Sequence, residues 1–191
     1  FYAVGLPALR DAPEQGLELN VVLGQVRGLL RQLEAGDLDA VIAAQQVPRN
    51  NVIYLPIVEE QFVLLGASNL EMPLGLSIDQ IIGWFESQPW LTYAPDLPII
   101  RRYWQSVFRR RPMIGAPMIL PDLLMIARAV ELGMGLSVLP EYLSAEQIHE
   151  GSLQVLWEPD YHPRNRVLLA VNRPHADRSE IRWLHTRLAA S

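Results

Sequence analysis

The sequence of 191 residues has no cysteine. That excludes disulfides, thiolate metal sites and a cysteine nucleophile, and it suits a reducing, cytoplasmic compartment. Lysine is absent too: all 16 basic residues are arginine. Both side chains serve solvated surfaces, so this is read as coding bias and not as a site. No apolar run approaches the roughly 20 residues of a membrane helix, and no membrane partner is expected. The opening FYAVGLPALRD lacks the basic start, apolar core and cleavage site of a secretory signal. The first residue is Phe1 and not Met, which reads as a piece of a longer chain. Positive charge is scarce. A formal net charge of −5 leaves no concentrated basic surface, so these residues are not expected to bind nucleic acid themselves.

Half of the residues are hydrophobic, enough for one large core or two small ones. Leu17, Leu19, Val21 and Leu23 alternate with Glu18, Asn20 and Val22, the period of a strand. Val26, Leu29, Leu30 and Leu33 then fall on one helical face, and Gly36 stands where a left-handed cap is wanted. The apolar run at 38–44 suits a buried parallel strand. Further along, strands are expected at 62–67, 90–94, 135–139, 153–157 and 166–172. Helices are expected near 1–11, from Ser77, over 99–109, from Pro121 to Gly133, from Ser144 and over 178–189. Ser77 with Gln80, and Ser144 with Gln147, have capping-box spacing. Pro121 suits the first turn of a helix. Residues 113–119 read as an ordinary buried strand in preference to an apolar lining for a ligand with a hydrophobic or aromatic part, and 45–57, with Pro48 and Pro56, as a crossover or linker. Strands alternating with helices predict an α/β fold with mixed, mainly parallel sheets.

Three stretches carry a resemblance: LLRQLEAGDLDAVIA at 29–43, EEQFVLLGAS at 59–68 and AVELGMGLSVLPEYL at 129–143. In this order and spacing, with the closing strand–strand–helix, the chain resembles the effector-binding domain of LysR-type transcriptional regulators. The resemblance implies a fold like the type 2 periplasmic binding proteins: two Rossmann-like subdomains joined by two crossover strands, with a small-molecule cleft between them. It assigns 1–57 plus 151–191 to subdomain I and 58–150 to subdomain II. The family begins this domain with a strand between those expected here at 17–23 and 38–44. That strand is missing, so an N-terminal extension is expected. In the family the extension also carries the helix-turn-helix that reads DNA. The family further implies a homodimer or homotetramer, with 17–23, 25–35 and 122–132 as interface candidates.

The cleft would be lined by the loops that follow strands. The candidate effector-binding residues are therefore Gln45 and Gln46, Thr92 and Tyr93, Arg101, and Leu120, Pro121 and Asp122. Amides, hydroxyls and helix N-termini suit a carboxylate-bearing effector, and Arg101 could clamp an anion. The competing reading makes Gln45 and Gln46 solvated loop residues and Arg101 a surface charge. No metal, cofactor or catalytic residue is expected. His149, His162, His175 and His185 lack ligand spacing. Ser137, in GLSVL, is no nucleophile elbow. Glu59 and Glu60 are adjacent and would point to opposite faces of a strand. Gly133-Met134-Gly135 lies between a helix and a strand, the reverse of a phosphate-binding order. The expected function is a small-molecule-sensing regulatory domain that acts on transcription through oligomer rearrangement. The alternative is a periplasmic-type solute-binding protein of a transporter, which shares the fold.

Overall fold

The computed structural model describes residues 5–115 and 117–190. The first four residues of the expected N-terminal helix, and Ala116 within the apolar run 113–119, lie outside them. In chain order the main elements are α1 (Gly5–Ala8), α2 (Val26–Ala35), β1 (Ala40–Ala43), β2 (Val52–Ala67), α3 (Ile78–Ser87), β3 (Leu91–Thr92) and α4 (Pro98–Val107). They continue with β4 (Met118–Ile119), α5 (Leu123–Glu131), β5 (Ser137–Pro140), α6 (Ala145–Glu150), β6 (Leu153–Trp157), β7 (Arg164–Asn172) and α7 (Ser179–Ala189).

The chain divides into two units, 1–60 with 165–191, and 61–164. Two strands pass through the division: β2 continues across Glu60 and Gln61, and β7 across Arg164 and Asn165. The sequence reading put the return at 150/151. It falls later because β6 pairs with the C-terminal half of β2, Leu65 opposite Val155 and Ala67 opposite Leu153, and so belongs to the second unit.

In the first unit the strand order is β1, β7, β2. Alternate residues of β7 face opposite sides. Leu169 and Val171 join Leu9, Ile57, Ile181 and Leu188 on one face. Ala170 joins Leu30, Leu33, Val41 and Val52 on the other. In the second unit β2 repeats the device. Phe62 and Leu64 pack with Phe85, Trp90, Tyr103 and Trp104, while Val63 and Leu65 pack with Leu91, Ile126, Val130 and Leu139. A strand buried on both faces must be apolar throughout, which is why FVLLGA is an unbroken run.

The aromatic core is tied by polar atoms at its rim. Trp90 Nε1 donates to the Phe85 carbonyl at 2.9 Å and Trp104 Nε1 to Glu86 Oε1 at 3.1 Å. The two indoles meet edge to face, centroids 5.0 Å apart. Burial pushes the pKa of the Tyr103 hydroxyl up, and the Glu158 charge adds to the effect, so the phenol stays neutral.

Several expectations are corrected. The sheets are mixed, but the long ladders are antiparallel: β1 with β7, β2 with β5 and β2 with β6. Among the described residues, parallel pairing is seen for β3 with β4 and at the Trp90–Leu136 bridge. An apolar run signals burial on both faces without specifying strand direction. Residues 17–25 form no strand. Leu19, Val21, Val22 and Leu23 are exposed, Leu23 at 87%, because no described strand lies alongside to build a ladder. Of the crossover or linker expected at 45–57, the residues from Val52 on are strand, the start of β2. The described residues of the run 113–119 do not make a buried strand: among them only Met118 and Ile119 pair, and Met113 is 82% exposed. Pro121 precedes the helix it was expected to open, and Asp122 is the N-cap. Ser77 and Gln80 form the full capping box, whereas Ser144 makes no cap hydrogen bond.

Candidate functional site

Most of the expected site residues gather at one end of the short parallel sheet in the second unit. The Leu120 N–H donates to the Thr92 carbonyl at 2.9 Å, and the Met118 N–H to the Trp90 carbonyl at 2.8 Å. This sets the C-terminal ends of β3 and β4 side by side, where an α/β sheet offers its loops to a ligand. Thr92 is buried (4% exposed) yet polar. Its Oγ1 donates to the Ala94 carbonyl at 3.1 Å and accepts from the Ala94 N–H at 3.4 Å, folding the chain into the turn that leads to α4. Tyr93 is exposed beside it.

Thr92 and Tyr93 line a small cavity with Ile99, Ile100, Leu123 and Ser137. Its volume of about 10 Å³ is room for about one water. Ser137 is 2% exposed, and its Oγ donates to the Leu91 carbonyl at 2.9 Å. Sequence reasoning weighed Ser137 only as a nucleophile. A hydroxyl inside an otherwise apolar strand was the signal that it serves a buried polar spot.

The two helices that start here differ electrostatically. At α5 the Asp122 Oδ1 accepts from the N–H groups of Leu124 at 2.9 Å and Met125 at 3.1 Å. The protein's own carboxylate thus fills that N-terminus. At α4 the N-cap is Leu97 in the left-handed region, φ 54°, Pro98 follows, and no side chain caps the helix. The positive end of α4 is therefore the one left for an external acceptor. Arg101 is not among the cavity residues. It is exposed, and its Nη1 reaches back to the Asp96 carbonyl at 3.4 Å, so it supports the turn before α4. Pro121 is exposed and Leu120 half-buried.

Gln45 and Gln46 belong to the first unit, in the loop after β1, and both are exposed. The loop is held at each end. The Ala44 carbonyl accepts from Asn165 Nδ2 at 2.9 Å. Tyr54 Oη donates to the Val47 carbonyl at 2.5 Å and accepts from the Val47 N–H at 3.3 Å. Neither Tyr54 nor Asn165 was picked out from sequence, because both contacts depend on strands brought alongside by folding. Among the described residues, no group of three or more histidines and carboxylates is arranged to hold a metal ion.

The mixed α/β fold of this chain is shared with regulatory domains of LysR-family proteins. The C-terminal domains of a LysR family protein from Agrobacterium tumefaciens superpose with a TM-score of 0.75 at 18% identity, covering 98% of this chain and 88% of that one. Full-length LysG from Corynebacterium glutamicum, solved with bound effector Arg, gives 0.73 at 17% identity over 97% of this chain and 62% of that one. The chain belongs to the LysR substrate binding domain family, whose model matches residues 8–191. It is 30% identical over 187 residues to the HTH-type transcriptional regulator AbaB of Streptomyces antibioticus, covering 94% of this chain and 62% of that protein.

Proposed function

We propose that this chain is the effector-sensing regulatory domain of a LysR-type transcriptional regulator. A small molecule, carboxylate-bearing, is recognised by the ends of β3 and β4 and the N-terminus of α4, and Gln45 and Gln46 are the candidate contacts that the first unit offers. The observation that carries this reading is the buried Thr92 hydroxyl beside an uncapped helix N-terminus, in a chain of this family. The Asp122 carboxylate occupies the neighbouring N-terminus, so an anionic group is steered to α4. Binding favours one arrangement of the protein over another to the extent that the effector's affinity differs between them. The change reaches DNA through a homodimer or homotetramer whose helix-turn-helix lies outside these residues, in the cytoplasm. LysG with its bound Arg supports a small-molecule effector. The identity to AbaB favours a regulator over the transporter alternative, and over an enzyme.

A thermal-shift screen of small carboxylates and aromatic acids supplies the test, because a ligand of the folded state raises its melting temperature. The best hit is then titrated against Thr92→Val and Gln45→Ala. Each variant should weaken binding about fivefold to tenfold, the worth of one polar contact of ~1 kcal/mol, and melt close to the parent. Unchanged titrations in both would defeat the placement.

A further inference from the structure

One side chain lies where the Gln45–Gln46 loop meets the division between the units. Asn165 opens the return segment of the first unit on β7. Its Nδ2 donates to the Ala44 carbonyl at 2.9 Å and also to Glu60 Oε1 at 2.7 Å. Glu60 is 6% exposed and is the last residue of β2 in the first unit. One amide group therefore joins the loop, the outgoing strand and the returning strand.

The chemistry fixes its orientation. An asparagine NH₂ has two hydrogens, and its two partners here are a carbonyl and a carboxylate, both acceptors. Turning the amide over would set oxygen against oxygen at both contacts. The bond to Glu60 is charge-assisted, and Glu60 is buried, so it resists breaking. From the other side Tyr54 Oη grips both backbone groups of Val47. Gln45 and Gln46 are thus displayed between two anchors, and both anchors stand on the strands that continue into the second unit.

We propose that Asn165 is a positioning residue that couples displacement of the Gln45–Gln46 loop to β2 and β7 at the point where they leave the first unit. The proposal rests on the reading of that loop as an effector contact. A ligand that draws on Gln45 or Gln46 moves Ala44, and the Ala44 carbonyl cannot shift far from Asn165 without losing a bond that weakens steeply with geometry. The pull then falls on Glu60 through the same nitrogen.

The test is a cycle of amide hydrogen exchange on the 191-residue chain, with no effector present. Tyr54→Phe removes one hydroxyl and loosens the Val47 end of the loop. Protection is read at 164–167 on β7, away from Tyr54 in sequence. In the parent background Tyr54→Phe should lower protection there about fivefold, the fold-change carried by one net hydrogen bond. In an Asn165→Ala background the same substitution should change nothing there. A second background guards against poor folding. Asn165→Asp combined with Glu60→Gln reverses donor and acceptor, restoring the strand-to-strand bond while leaving the Ala44 carbonyl without its amide donor. Protection of the strands should recover in it, and the response to Tyr54→Phe should still be absent. A response that persists in either background means loosening travels along β2 itself and overturns the proposal, as does no response in the parent. Failure of the effector reading shows separately, as unchanged titration of Gln45→Ala.

Discussion

Gly135 stands at φ 153°, where a side chain is rarely accommodated, and a Cβ there would lie 2.6 Å from the Pro89 carbonyl oxygen. The contact is forced by the strand pairing around it. Leu136 N–H donates to that same carbonyl at 2.8 Å, and Leu91 N–H donates to the Leu136 carbonyl at 2.9 Å. Gly135→Ala must either push β3 and β5 apart or strain the backbone, so it should cost about 3 kcal/mol. Equilibrium urea denaturation measures this, and a midpoint equal to the parent's would show that the strands part freely. The sequence shows a glycine between helix and strand there, but not the carbonyl that meets it. Two serines make the same point. Ser77–Gln80 and Ser144–Gln147 have identical spacing, yet only the first caps. Ser77 has the extended backbone an N-cap needs, φ −66° and ψ 162°. Ser144 follows a short turn at 141–143 that leaves it at ψ 8°, with its hydroxyl buried.

At the scale of the element, α2 and α7 are legible because each writes its own period and α3 because its capping box marks the start, and Gly36 caps α2 in the left-handed region as its position implies. A helix satisfies its backbone internally, so local sequence suffices. A strand needs a neighbour. The alternation at 17–23 is as clear as any in the chain, and with no described strand alongside it forms no strand. The 16 residues of β2 span an expected crossover or linker at 45–57 and an expected strand at 62–67, because Pro56 interrupts the pattern. At α5 the helix starts later than expected: Pro121, expected in its first turn, lies before it, and Asp122 is the N-cap. Asp122→Ala removes two N–H···O bonds and should destabilise the second unit by about 1 kcal/mol. Asp122→Asn, which keeps a capping oxygen, should recover most of that in the same denaturation experiment. If the two variants melt alike, the carboxylate is not acting as a cap.

For the whole molecule, apolar side chains that remain exposed point to association. Val21, Val22 and Leu23 project from the first unit before α2, and Met125 and Leu132 from the α5 region of the second. Clustered exposed apolar surface marks contact with another chain. These are the stretches assigned to a homodimer by resemblance. Sedimentation velocity should therefore find dimers at about tens of micromolar. Arginine or aspartate in place of Val21 and Leu23 should shift the distribution toward monomer without lowering the melting temperature. A monomer at every concentration would remove the dimer from the proposed mechanism.

Sequence by itself determined the family and the order of most elements, because these rest on local period and on unbroken apolar runs. It also offers Thr92 and the loops beside it as candidates, since the ends of strands are where such sheets present their loops. Tertiary structure alone decided the rest. It made the long ladders antiparallel, moved the second crossing from 150 to 164 by pairing β6 with β2, and gave Arg101 to its own turn. It also joined Ala44, Glu60 and Asn165 through one amide. Hydrogen bonds between residues a hundred positions apart have no local signature. They exist only once the strands that carry them have been laid side by side.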